Sequence, residues 1–181
     1  AYLPRLDLKE VEFRVLPMRT RFPFKYGIAS LTALPHLVLK VEAEIDGVLA
    51  EGIASEGLPP KWFTKNPETT FEQDLPAMLE VIGHAAELAL SAPPSSFFEL
   101  WFKIHDAQSA WASETGHPPL LANLGVSLME RSLLDALCRH LDSDLHAVLR
   151  ENQIGLCLGA VRPELSGAEP VSFLPDRPLS S

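Results

Sequence analysis

The side chains best suited to bind a metal ion are close together in sequence, within the C-terminal third of the chain. Asp142, Asp144 and His146 carry the oxygen and nitrogen atoms that bind metal ions. They lie where one predicted helix ends and the next begins, and Asp at such a position caps free backbone N–H groups. Helix capping is therefore the favoured interpretation of this group, and we expect no metal site in the chain.

Two further patterns resemble catalytic motifs but lack the geometry that catalysis needs. His105 and Asp106 are neighbours on a predicted helix, where successive side chains point about 100° apart. Ser55 lies in a sequence similar to a nucleophile elbow, but Ile53 replaces the first glycine and the serine ends a hairpin strand. Neither pattern predicts a catalytic residue, and we assign none in this chain.

Aromatic and basic residues cluster in two segments that flank a predicted β-hairpin. Loops ordinarily favour small polar residues, so aromatic side chains in two adjacent loops indicate a pocket wall. Lys25 in the first segment and Lys61 in the second could steer a carboxylate substrate. Alternatively, the aromatic residues pack on a neighbouring domain or on the end of the sheet, and the lysines are solvated. The candidate substrate-lining residues are Phe24, Lys25, Tyr26, Ile28, Lys61, Trp62 and Phe63.

Alternating apolar residues predict the strands that position these segments. The period of two over residues 37–45 and 48–55, joined by Asp46-Gly47, predicts a hairpin with a type I′ turn. Residues 9–16 predict a further strand. We expect Phe13, Val41 and Ile53, or their strand neighbours, to be buried, and residues 21–35 and 56–65 to be loops.

Helical periodicity dominates the chain from residue 68 to residue 151. Asp74 is the predicted N-cap of a first helix, and Ser96 with Glu99 forms a capping-box pattern for a second. Segments 120–140 and 143–151 predict two more helices. The whole pattern predicts an α+β fold, in which a three-stranded antiparallel β-meander within residues 9–55 precedes a bundle of three or four helices. Residues 153–181, rich in Pro, Gly and Ser, predict an extended connector.

Composition limits the partners. The net charge of −9 argues against nucleic acids and anionic membranes, because both select basic surfaces. No apolar run approaches the roughly 20 residues that span a bilayer, and the N-terminus lacks the pattern of a signal peptide. Cys138 and Cys157 have no Cys/His cluster near them. We therefore expect reduced thiols and a cytoplasmic protein.

Three stretches resemble the N-terminal capping domain of the enolase superfamily, in its mandelate racemase and muconate lactonising branch. They read PFKYG (23–27), LPHLVLKVEAEIDGVLAEG (34–52) and PPKWF (59–63). The segment GVSLMERSLLDALCRHL (125–141) resembles the helix that precedes the barrel in that family. The resemblance implies that residues 1–152 are a cap whose two loops close over the mouth of a (β/α)₈ barrel and shape specificity.

The resemblance also implies what lies outside this chain. Members of the family hold Mg²⁺ and their acid and base residues in the barrel, and no position here matches those motifs. A barrel takes about 250 residues, so we expect it to be missing from these 181 residues and the chain alone to be inactive. The parent would be a lyase, racemase or cycloisomerase acting on a small carboxylate, with the cap's own barrel as its partner.

Two function classes remain open at this point. The chain is either the specificity cap of such an enzyme or a free-standing module that binds a small molecule or a protein through its two loops. A lone cap would expose the apolar surface that the barrel covers. We therefore expect the chain to form a homo-oligomer, or its Pro-rich tail to be poorly ordered.

Overall fold

The computed structural model describes residues 2–178 of the chain. The N-terminal part is one antiparallel sheet with the strand order β1-β2-β3. The strands are β1 (Leu6–Tyr26), β2 (Ala29–Ile45) and β3 (Val48–Gly57). Asp46 and Gly47, between β2 and β3, have φ angles of 49° and 83°. Two successive positive φ angles are those of a type I′ turn, so the predicted hairpin is confirmed.

Strands β1 and β2 continue well beyond their predicted ends. They pair from Leu6 opposite Ile45 to Tyr26 opposite Ala29, and their ladder is interrupted by an irregularity between Arg19 and Phe24. Residues 21–35, predicted as a loop, are therefore the far end of a long hairpin, and that prediction is wrong. The alternation was not visible there because neither face of this end is buried.

The buried face of the sheet is set by the odd-numbered residues of β2. Leu37, Leu39, Val41, Ala43 and Ile45 are all buried, as the period of two predicts. On the two strands that lie on either side of β2, the predicted burial is only partly correct.

The sequence predicts that Phe13 and Ile53, or their strand neighbours, are buried, and the two residues themselves are 44% and 49% exposed. Ile53 pairs with Lys40, on the outer face, so the small neighbours Gly52 and Ala54 face the helices instead. Phe13 pairs with buried Leu39 and so lies on the inner face, but β1 is the edge strand and no helix covers it at this point. The prediction therefore holds in β3 through the buried neighbours Gly52 and Ala54, and it is wrong at Phe13, where neither the residue nor its neighbours are buried.

Helices follow the sheet, as predicted. Four of them are longer than one turn, and α1 and α6 are single turns. Two 3₁₀ turns, Pro163–Leu165 and Pro170–Ser172, come last. The helices are α1 (Pro60–Phe63), α2 (Phe71–Ser91), α3 (Phe97–Thr115), α4 (Pro119–His140), α5 (Leu145–Arg150) and α6 (Leu158–Val161).

Capping residues explain where α2 and α3 begin. Ser96 and Glu99 form the predicted capping box at the start of α3, with both reciprocal hydrogen bonds present. The N-cap of α2 is Thr70, and the prediction of Asp74 is wrong. Thr70 accepts a hydrogen bond from the backbone N–H of Gln73, whose side chain accepts one from the N–H of Thr70. This box starts the helix one turn earlier than predicted.

Helix α4 is the central element of the fold, because it packs on the sheet and on both long helices. Its close contacts require glycine. A Cβ added to Gly52 of β3 would lie 2.0 Å from the backbone oxygen of Ser132, and one added to Gly125 of α4 would lie 2.2 Å from the backbone oxygen of Val81. Both distances are far below van der Waals contact, so the backbones can approach this closely only without side chains.

A buried glutamine joins the three long helices at the same level. The Gln108 side chain, on α3, donates to the carbonyl oxygens of Val81 on α2 (2.8 Å) and Ala122 on α4 (3.2 Å). Its own oxygen lies 2.6 Å from Nδ1 of His84. Since Gln108 is fully buried, these bonds satisfy a polar group whose desolvation would otherwise destabilise the bundle.

The segment after α5 folds back onto that helix. Arg150 donates from Nε to the carbonyl oxygen of Leu174 (3.3 Å) and pairs with Asp176, and His146 Nε2 lies 2.8 Å from the carbonyl oxygen of Pro175. Within residues 2–178, no helix is long and apolar enough to cross a lipid bilayer.

Glycine substitutions test the close packing around α4. Gly52→Ala and Gly125→Ala should each destabilise the fold by about 2 kcal/mol or more, because the new methyl group meets backbone atoms that cannot move independently. Gly83, inside α2, is the matched control, since a Cβ there meets nothing within 4 Å. Gly83→Ala should stabilise by up to about 1 kcal/mol through helix propensity. Urea unfolding measures all three, and equal effects at the three positions would contradict this account of the packing.

Candidate functional site at the end of the hairpin

The far end of the β1–β2 hairpin and the segment after β3 come together at one end of the molecule. Gly27, with φ of 50°, lies in the turn of the hairpin. The segment that leaves β3 is held against β2, because the backbone N–H of Leu58 donates to the carbonyl oxygen of Pro35 at 2.9 Å. Helix α1 begins two residues later. The predicted proximity of the two segments is therefore observed.

Three aromatic rings form a row across these segments. Phe24 and Tyr26 stack along β1 with ring centroids 6.2 Å apart, and Trp62 of α1 lies 6.2 Å from Tyr26 on the other side. Trp62 remains 58% exposed. Partial burial raises the pKa of the Tyr26 hydroxyl above its ordinary value, which keeps the hydroxyl protonated and able to donate a hydrogen bond. The row offers an aromatic surface that bends between Tyr26 and Trp62, whose ring planes differ by 41°, and it carries the Tyr26 hydroxyl and the Trp62 indole N–H as polar groups.

Beside this row lies a cleft of about 560 Å³. Of the residues predicted to line a pocket, only Tyr26 and Lys61 border it. The remaining walls come from the hairpin and from the first turn of α2, and sequence reasoning did not assign them. These additional lining residues are Pro17, Met18, Arg19, Ala29, Ser30, Leu31, Thr32, Ala33, Leu34, Pro35, Phe71 and Glu72.

Lys61 has a different role from the substrate steering that the sequence suggested. Its ammonium group lies 2.6 Å from Asp74 Oδ2, 2.6 Å from the carbonyl oxygen of Asn66 and 2.7 Å from the hydroxyl of Thr69. An ammonium group has three N–H donors, so these three acceptors use all of them. The Lys61 and Asp74 side chains are only 13% and 7% exposed. Lys61 therefore fixes α1 to the start of α2.

The other predicted residues are spread around the row. Phe63 is partly buried and packs against the core, while Ile28 projects from the hairpin turn. Lys25 pairs with Ser30, between Phe24 and Tyr26 along the strand, so it points to the opposite face of the hairpin from the two aromatic rings. The structure thus brings Phe24, Tyr26 and Trp62 together, and it separates the other predicted residues from that row.

The hairpin is basic although the protein is acidic overall. No Asp or Glu occurs between Glu12 and Glu42, whereas Arg19, Arg21 and Lys25 lie in the hairpin end. These three side chains form no ion pair within residues 2–178. In a chain of net charge −9, unneutralised cations at one end favour an anionic ligand there. The signal was present in the sequence as the 29-residue stretch without a carboxylate.

A second, smaller groove is bordered by a partly buried acid, Glu130. It measures about 250 Å³ and is lined by Phe97, Phe98 and the C-terminal segment from Ile154 to Arg162. Glu130 of α4 borders it and accepts a hydrogen bond from the indole N–H of Trp101 at 3.0 Å. Burial raises the pKa of the Glu130 carboxyl above its ordinary value, and the bond from Trp101 only partly opposes the shift.

Within the described part of the chain, no group of three His, Cys, Asp or Glu side chains is arranged to hold a metal ion. Asp144 accepts a hydrogen bond from the backbone N–H of Ala147 at 2.8 Å and caps α5. His105 Nδ1 lies 3.4 Å from Asp106, and both side chains are exposed. The capping role that the sequence favoured for the first group is therefore observed at Asp144.

Comparison with known proteins identifies the fold. No protein-family model matches the chain, and no curated protein matches it in sequence. An enolase from the alphaproteobacterium BAL199, crystallised with bound magnesium, is 19% identical, with a TM-score of 0.54 over 80% of this chain and 34% of its own. An enolase from Bradyrhizobium in complex with magnesium and mandelic acid is 16% identical over 80% of this chain and 35% of its own, with a TM-score of 0.49.

The buried ion pair of the site is testable by a double-mutant cycle. Lys61→Met or Asp74→Leu alone should destabilise the protein by about 3 kcal/mol, because each leaves an uncompensated buried charge. The double variant should lose clearly less than the sum of the two. Lys25→Met is the matched control at an exposed lysine and should change stability by less than about 0.5 kcal/mol. Additive single effects would mean that Lys61 and Asp74 do not interact.

The raised pKa of the partly buried Glu130 carboxyl predicts that its effect on stability depends on pH. A carboxyl whose folded pKa is raised stabilises the fold below its unfolded pKa, near 4.5, and this contribution is lost as pH rises through the folded pKa. Glu130→Gln keeps the acceptor for Trp101 but removes the charge. The variant should therefore melt higher than the wild type at pH 7 and at the same temperature at pH 4. A constant difference across this range would show that Glu130 titrates normally.

The enolase of BAL199 is about three times as long as the matched segment, so this chain spans about a third of the length of that structure. At 19% identity the likeness is one of fold. It confirms the predicted α+β arrangement of an antiparallel three-stranded sheet followed by helices, and this chain shares that fold with the matched third of the BAL199 enolase.

Proposed function

We propose that this chain is the capping domain of a two-domain enzyme and that the end of its β1–β2 hairpin binds and shields a small carboxylate. The observation that carries this proposal is the coincidence at that end of an aromatic row and a cleft bordered by Arg19. The fold supports it, because the chain matches a third of a longer enolase that was crystallised with magnesium.

Each group at the hairpin end would have a separate task. Arg19 borders the cleft and has no ion-pair partner within residues 2–178, so its guanidinium is free to bind a carboxylate through two parallel N–H donors. Tyr26 adds a protonated hydroxyl, and Trp62 adds exposed apolar surface. Lys61 and Asp74 hold α1, and with it Trp62, at a fixed place beside the cleft. These residues bind and exclude water, and none of them is placed to transfer a proton to carbon.

The chemical step is assigned to a second domain. The described acids and histidines do not fit a Mg²⁺ ion, because no three of them converge. We infer that a (β/α)₈ barrel supplies the metal and the acid and base residues, and that the reaction is a lyase, racemase or cycloisomerase reaction next to a carboxylate. Both cysteines are free thiols, which suits the reducing cytoplasm.

Kinetics of the two-domain enzyme test the proposal. Arg19→Ala should lower kcat/KM for the carboxylate substrate by about tenfold or more, since a hydrogen bond to a charged group contributes about 1.5–3 kcal/mol. The loss should fall mainly on KM, and the Mg²⁺ requirement should not change. Lys103→Ala, an exposed cation on α3 away from the cleft, is the control and should have no effect. An Arg19 variant that matches the Lys103 variant would overturn the assignment of the cleft.

The alternative is a free-standing module that binds a small molecule or a protein. It is distinguished first by the reading frame, which should continue past residue 181 into about 200 or more residues of alternating strands and helices if the barrel exists. If no barrel is encoded there and the isolated chain binds a ligand at the hairpin end, the module is the correct function and the cap is not.

A further inference from the structure

The two edges of the sheet differ in how they are protected. At the β3 edge, the backbone N–H of Ile53 donates to Asp135 at 2.9 Å, and the carbonyl oxygen of Ser55 accepts from Arg131 at 3.1 Å. Helix α4 thus occupies this edge with its side chains. The β1 edge is closed only at its start, where Leu6 and Ser95 exchange two backbone hydrogen bonds. From Glu10 onward, no backbone bond within residues 2–178 reaches its free side.

The backbone of β1 can be oriented from its partners. In an antiparallel ladder, alternate residues direct their N–H and C=O groups to opposite sides of the strand. The carbonyl of Pro35 bonds Leu58 on the β3 side, so Pro35 and its opposite residue Pro17 are not bonded to each other. The register is unbroken from Glu10 to Arg19. The odd residues of β1 therefore point their N–H and C=O groups to the free edge.

The free stretch is short and has a definite centre. A register shift at Lys9 bounds it on one side, and Pro17, which has no N–H, bounds it on the other. Residues 10–16 remain, with Phe13 in the middle. Phe13, Val15 and Leu16 are 44%, 54% and 51% exposed. An exposed apolar edge strand is a surface that pairs with another strand unless charges or prolines prevent it.

The sequence of this stretch is complementary to itself in one register. When two copies pair antiparallel about a two-fold axis at Phe13, Val11 faces Val15 on one side of the sheet and Glu12 faces Arg14 on the other. The axis repeats both contacts, so two opposite-charge pairs form. Pro17 then faces Lys9 of the other copy. The ladder between the copies therefore ends, on both sides of the axis, where the free backbone N–H and C=O groups of β1 end.

Neighbouring registers lack this complementarity. An axis at Glu12 places two identical carboxylates opposite each other, and an axis at Arg14 does the same with two guanidinium groups. Like charges directly opposite in a sheet are destabilising. The charge order of the strand therefore selects the axis at Phe13.

We propose that β1 pairs with β1 of a second copy of this chain through residues 10–16, with Phe13 on the two-fold axis, to form a continuous six-stranded antiparallel sheet. The odd residues supply the hydrogen bonds, Val11, Phe13 and Val15 supply the apolar contact, and Glu12 and Arg14 set the register. The proposal is independent of the enzyme role, because the hairpin end that carries the cleft lies beyond Pro17 and stays free.

Charge exchange tests the register. Glu12→Arg and Arg14→Glu each convert both opposite-charge pairs into like-charge pairs, so each should weaken dimerisation of the full chain at least tenfold in analytical ultracentrifugation. The double variant with both substitutions restores opposite charges and should return the dissociation constant to within about threefold of the wild type. Loss of dimer in both single variants without recovery in the double variant would overturn the register.

Disulfide trapping tests the axis in a background with Cys138→Ala and Cys157→Ser. Hydrogen-bonded opposite residues have Cα atoms about 5.5 Å apart, within disulfide range. Phe13→Cys should therefore cross-link under mild oxidation. Val15→Cys is the control and should not, because its counterpart lies four residues along the ladder, about 13 Å away. A chain that is monomeric at millimolar concentration, a Val15→Cys that cross-links as fast as Phe13→Cys, or a dimer insensitive to Arg14→Glu would each exclude the proposal.

Discussion

The close approach of helix α4 to its neighbours is the constraint on which the rest of the structure depends. Gly52 lets the backbone of β3 touch α4, and Gly125 lets α4 touch α2. Fixed at two sides, α4 can present Asp135 and Arg131 to the edge of β3 and Ala122 to Gln108. The sheet, the helices and the protected edge are therefore positioned by one helix with small residues at its contacts.

The strands are longer than the helices that pack on them, and this difference in length leaves the far end of the β1–β2 hairpin beyond most of the helices. At 1.5 Å per residue, the 22 residues of α4 extend about 33 Å, whereas the 17 residues of β2 extend about 56 Å at 3.3 Å per residue. The helices therefore cover only the part of the sheet near the Asp46-Gly47 turn. The far end of the hairpin is bordered only by α1 and the first turn of α2, so its aromatic and basic side chains remain largely exposed.

The sequence predicted the elements well where one face is buried, and poorly where none is. Apolar and polar residues alternate in β2 because only its odd-numbered residues from Leu37 to Ile45 face the helices. The capping box at Ser96 is a local signal that needs no tertiary contact. The hairpin end could not be recognised by alternation. The buried pairing of Lys61 with Asp74 joins residues 13 positions apart in two different elements, and propensity contains no information on such a contact. The cleft beside Arg19 was predicted only at Tyr26 and Lys61, because its other walls come from the hairpin end and from α2.

The free edge of β1 and the hairpin end that carries the cleft lie on the same strand, and Pro17 separates them. Up to Leu16, β1 is a regular edge with its hydrogen-bonding groups free, and from Pro17 onward it belongs to the uncovered hairpin end. Pro17 cannot donate a hydrogen bond, so a strand that pairs along residues 10–16 cannot extend its ladder into the cleft. Because Pro17 also borders the cleft, one residue both ends the proposed pairing edge and begins the cleft. Self-association and ligand binding can therefore occur on one strand without competing for the same backbone groups.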